Sequence, residues 1–132
     1  MAFETTWLLD DHVISTVFSG EVTLDDLQEN DRILLEMVEG ITGNGPVHII
    51  CDVRNVDKFP TQIGPIKKSS EPYLRHDAMG WFILVGLDNR VLRFIGSTIA
   101  QITKLKMKNT DTMEEAINVL RRVDVNVSAW QE

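Results

Sequence analysis

Cysteine, proline, tyrosine and long apolar runs are all scarce in this chain of 132 residues, which has one Cys, four Pro and one Tyr. The lone Cys51 excludes an intrachain disulfide, and its place in the run Val47-His48-Ile49-Ile50-Cys51 points to a small buried hydrophobe rather than a reactive thiol. No apolar run approaches the roughly 20 residues that span a bilayer. Met1 to Asp10 holds Glu4 and Asp10 but no basic region of the kind that opens a signal peptide, so a cytoplasmic protein is expected. A basic excess is missing too. Thirteen Lys and Arg against 20 Asp and Glu leave a net charge of -7, which argues against nucleic acid as a partner because that binding needs a positive field. His12, His48 and His76 fall on separate elements without HxxxH or CxxC spacing, so neither a metal nor another cofactor is expected. Gly40, Gly43 and Gly45 lead into a strand, whereas phosphate-cradling loops lead into a helix.

What is present reads as one globular domain over residues 1–132, with 43% hydrophobic and 25% charged residues. Phe3 to Leu9 and His12 to Ser19 form a hairpin about Asp10-Asp11, and Gly20 is expected to break the second strand. Thr23 caps a helix on which Leu24, Leu27, Leu34, Val38 and Ile41 share a stripe, leaving Glu29, Asp31, Arg32, Glu36 and Glu39 to solvent. Val47 to Val53, apolar on both faces, reads as an interior strand. A second helix follows, from Thr61 to about Arg75, with Thr61 as N-cap and an end or bend near Ser70-Glu71 forced by Pro72. Trp81 to Gly86 is a further buried strand, residues 88 or 89 to 103 a third helix, and Lys104 to Lys108 an edge strand with alternating lysines. Thr112-Met113-Glu114-Glu115 is a capping box opening the last helix. Such alternation predicts an α/β fold: a mixed, mainly parallel sheet of about five strands, opened by an antiparallel hairpin and covered by four helices.

The charge is unevenly spread. Residues 1–50 sum to -9, residues 51–110 to +5 and residues 111–132 to -3. Arg90, Arg93, Lys104, Lys106 and Lys108 could form a basic face for anionic headgroups (a peripheral membrane contact) or an acidic protein, or simply be solvated charge on an edge. Asp52, Arg54, Asp57 and His76 are the best residues for acid-base chemistry, against which stands a simple salt link between Asp52 and Arg54. Trp130, in an otherwise polar tail, suggests cover from a second subunit in a homodimer.

The order of elements, with Ser19-Gly20-Glu21-Val22-Thr23, Asp52-Val53-Arg54, Arg93-Phe94-Ile95 and Thr112-x-x-Glu115-Ala116, resembles the SpoIIAA-like group of STAS domains, in particular its single-domain STAS/SEC14-type bacterial branch. The likeness spans roughly Phe3 to Val123. It implies a regulatory, protein-interaction module. The phosphorylatable serine of the founding members lies in an Asp-Ser-Ser-Gly segment, and the matching stretch here, Pro60-Thr61-Gln62-Ile63-Gly64, has neither that serine nor the aspartate. The phosphoswitch of the founding members is therefore not expected here, and the expected function is a non-enzymatic one, with a protein partner meeting the loop and helix after Asp52. The residues expected to carry it are Asp52, Arg54, Asp57, Phe59, Thr61, Lys67, Tyr73 and His76. The alternative is a carrier for a small apolar molecule or lipid, admitted beneath a mobile second helix.

Overall fold

In a computed structural model of the chain, the residues described are 2–41, 46–86 and 106–130. The hairpin strands are β1, Phe3–Leu9, and β2, Val13–Glu21, paired antiparallel around a turn in which Asp11 takes a left-handed φ of 65°. Three more strands, β3 (Val47–Lys58), β4 (Met79–Val85) and β5 (Met107–Thr110), each add parallel to the preceding one. The spatial order is β1-β2-β3-β4-β5, so β3 lies at the centre and β5 at an edge. The expected fold class is thus observed: α/β, with a five-stranded mixed sheet and, among the described residues, four helices. The third helix expected over residues 88–103 lies outside the described residues, as do Arg90, Arg93 and Lys104.

Alternation along the strands divides the core between the two faces of the sheet. Ile14, Val47, Ile49, Cys51, Val53 and Leu84 pack beneath helices α1 (Leu24–Glu39) and α2 (Ile63–Leu74). Val13, Ile50, Ile83 and Val85 take the other face, against α3 (Met113–Val123) and the short α4 (Val125–Ser128). Every residue from Val47 to Asp52 and on to Val53 is buried, as a strand covered on both sides requires.

Helix α1 starts where Thr23 predicts. The Thr23 hydroxyl accepts from the Asp26 amide at 3.1 Å, and the Asp26 carboxylate accepts from the Thr23 amide at 2.9 Å. At α3 the Thr112 hydroxyl likewise accepts from the Glu115 amide, but the Glu115 carboxylate accepts from the amide of Asp111, one residue outside the expected box.

Several expectations are corrected. Gly20 does not end β2: with φ at 66° and the pairing register shifting around it, it forms an irregularity through which the strand continues to Glu21. Thr61 does not cap α2, whose N-cap is Gln62 and which begins at Ile63. Nor does α2 stop at Ser70-Glu71. Pro72 falls in the last turn, where it removes a single amide, and burial of Tyr73 and Leu74 carries the helix to its end at Leu74. Asp31, assigned to solvent by its charge, is buried, because Leu27, Asn30, Asp31, Leu34 and Val38 all lie on the inward stripe of α1. Trp130 finds cover within its own chain. It packs against the α3 face, the Arg121 guanidinium lies 5.8 Å from its ring, and Arg121 Nη2 donates to its carbonyl at 3.2 Å.

Candidate functional site

Alternation in β3 decides which site residues can meet. Cys51 and Val53 face α1 and α2, so Asp52 and Arg54 face the other way. Two residues apart on a strand, Asp52 and Arg54 share a face, and they form the salt link. Arg54 Nε donates to Asp52 Oδ1 at 3.0 Å, Nη2 to Oδ2 at 2.8 Å, and the Arg54 amide to Oδ1 at 3.1 Å. Burial alone would raise the Asp52 carboxyl, but these donors hold it below the usual carboxylate range. The arginine stem crosses Gly86, whose φ is 79° and whose missing Cβ would lie 2.2 Å from Arg54 Cγ. Gly86→Ala is therefore expected to destabilise the chain by about 2–3 kcal/mol, combining left-handed strain with displacement of Arg54. Chemical denaturation measures it, and an unchanged midpoint would refute the contact.

The proposed acid-base group does not assemble. His76 sits in the turn after α2, its Nδ1 accepting from the Ala78 amide at 3.1 Å, and the Ala78 carbonyl accepts from Val47 at the start of β3. Asp52 lies five residues further along that strand and Asp57 ten, which at ~3.3 Å per residue puts them well beyond contact with His76. Asp57 and Thr61 are exposed, and Lys67 lies 3.5 Å from Glu71 one turn along α2. Lys106, just before β5, and Lys108, within it, are exposed.

Two of the named residues, Phe59 and Tyr73, do converge, on a cavity of about 80 Å³ between the sheet and helices α1 and α2. Phe18, Leu27, Leu34, Phe59, Phe82 and Met107 supply much of its carbon surface. Phe59 meets Phe18 edge-on, centroids 6.4 Å apart. Five of the lining residues are polar: Thr16, Asn30, Asp31, Ser70 and Tyr73. The Asn30 carbonyl oxygen accepts from Thr5 at 2.5 Å and Thr16 at 3.1 Å, locking α1 to the hairpin. Asp31, 6% exposed, accepts from the Ser69 hydroxyl at 2.5 Å and is also hydrogen-bonded to Tyr73. Burial pushes its carboxyl up to about 7, against the opposing pull of Ser69 and Tyr73. Cys51, also in the wall, is raised well above an ordinary thiol by burial, with the carboxylates of Asp52 and Asp31 adding to the effect, and stays a neutral hydrophobe.

A second buried polar group lies across the sheet. His48, 1% exposed, places Nε2 2.7 Å from Asp124 Oδ2, and its Nδ1 accepts from the Trp81 amide at 2.9 Å. An acceptor at Nδ1 puts the proton on Nε2, so His48 is neutral and donates to Asp124. Burial lowers the imidazole despite the opposing carboxylate. Gly80 makes the fit, since a Cβ there would lie 2.5 Å from His48 Nδ1.

Sequence reasoning did not find Asp31, Asn30 or the His48–Asp124 pair. The seven-residue step from Leu27 to Leu34 on α1 was a signal for the first two, because positions 30 and 31 fall on the same stripe. No group of His, Cys, Asp and Glu among the described residues could hold a metal ion. Among the same residues, no helix is long and apolar enough to cross a membrane. No protein-family model and no curated protein matches the chain.

Proposed function

We propose that the chain is a non-enzymatic binding module of STAS type, acting in the cytosol, whose working site is the cavity between α1, α2 and the sheet. Its ligand is a small, mostly apolar molecule. The observation that carries this reading is the cavity itself: an inward face dominated by Phe, Leu and Met, interrupted by a few polar side chains, as in ligand pockets generally. Phe59, expected as an outward contact, helps to line this wall. Titration with toluene, followed through methyl resonances by NMR, should shift Leu27, Leu34 and Met107. In Val53→Phe, where the larger ring fills the space, those shifts should vanish while the fold persists. Undiminished binding by that variant would contradict the assignment.

A regulatory surface that meets a protein partner is the second reading. Exposure of Asp57 and Thr61 on the chain leading into α2 favours it. Exposed Lys106, just before β5, and Lys108, within it, would suit an acidic partner or anionic headgroups. Trp130 packs against α3 of its own chain and so gives no separate support to self-association.

A further inference from the structure

The polar part of the cavity wall is asymmetric in charge. Among the described residues lining the cavity, Asp31 is the one carboxylic acid, and there is no Lys, Arg or His. A carboxylate offers about four lone-pair positions. Ser69 and Tyr73 satisfy part of that capacity. Three phenyl rings, Phe18, Phe59 and Phe82, line the same space and offer apolar surface to a hydrocarbon group.

We propose that the cavity takes a small apolar amine, with its ammonium group on the Asp31 carboxylate and its hydrocarbon part among Phe18, Phe59 and Phe82. The inference rests on the cavity being the binding site, and goes on to name the chemical class bound there. A carboxylic acid would bring a second negative charge to Asp31 and is disfavoured. A neutral alcohol gains a hydrogen bond without the charge, and a hydrocarbon leaves the carboxylate unpaired in an apolar wall. An ammonium also neutralises the buried carboxylate, which no cation among the described lining residues does.

Benzylamine, benzyl alcohol and toluene form a probe series of nearly constant shape for calorimetric or NMR titration at pH 8. The wild-type chain should bind benzylamine at least about tenfold more tightly than benzyl alcohol. In Asp31→Asn that ratio should fall close to one, and an undiminished ratio would overturn the pairing with Asp31. If the three probes bind the wild-type chain equally, or benzylamine binds worst, the amine inference is overturned while the cavity stands as a site. If none binds, the cavity reading fails as well. The wild-type series decides alone should the variant not fold.

Discussion

Asp31→Asn should make the protein more stable at pH 8 than the wild-type chain, by an amount that shrinks as the pH falls. The carboxyl titrates at 3.8 in an unfolded chain and near 7 when buried in the fold. A group raised by folding contributes its full stability below the unfolded value, and loses it as the pH climbs through the folded one. Between pH 4 and 8 the wild-type chain should therefore lose about 4 kcal/mol relative to the asparagine variant. Most of that change falls below pH 7, and the difference levels off above it. A loss of this size is a large part of the total stability of a domain, typically ~5–15 kcal/mol. Urea denaturation of both chains across the pH series measures the difference, and parallel profiles would show that Asp31 is solvated. A site that keeps a destabilising acid has an economical explanation in ligand binding: the ammonium that pairs with Asp31 returns the stability that ionisation removes.

His48→Ala should cost about 3 kcal/mol, because it takes a hydrogen bond from the buried Asp124 carboxylate and leaves a cavity where a buried ring was. Asp124 retains its bond from the Asn126 amide at 2.9 Å, so α4 keeps its cap while its tie to β3 is lost. The pair also has its own pH signature. The His48 pKa is lowered from 6.5, so its contribution is present above that value and is lost as the pH falls through the depressed one. This runs opposite to Asp31, and the asparagine comparison isolates the Asp31 component because both chains keep His48. Thermal unfolding of His48→Ala, of Asp124→Asn and of the double variant tests the coupling: the two single losses should sum to more than the double loss. Additive losses would mean that the two side chains do not interact.

Local patterns made most of the architecture legible. Alternation and β-branching marked the hairpin, continuous apolar character marked β3 and β4, and the hydroxyls of Thr23 and Thr112 marked two helix starts. The Asp52–Arg54 link was legible for a similar reason, since residues two apart on one strand must share a face. Misreadings arose where tertiary surroundings overrode residue type. Asp31 looks like a solvent residue until α2 and the sheet close over it. Thr61 looks like a cap, yet α2 begins one residue after Gln62. His48 and Asp124 lie 76 residues apart and meet only because α3 and α4 fold back across the sheet. The candidate site divided on the same principle. Phe59 and Tyr73 converge because α2 returns over β3, whereas the length of β3 separates His76 from Asp52 and Asp57.

Apolar cavities admit xenon. A crystal pressurised with the gas should show it between α2 and the sheet, bounded by Phe18, Leu34, Phe59 and Phe82. Side chains closed over that volume, with xenon elsewhere or nowhere, would contradict the placement of the working site.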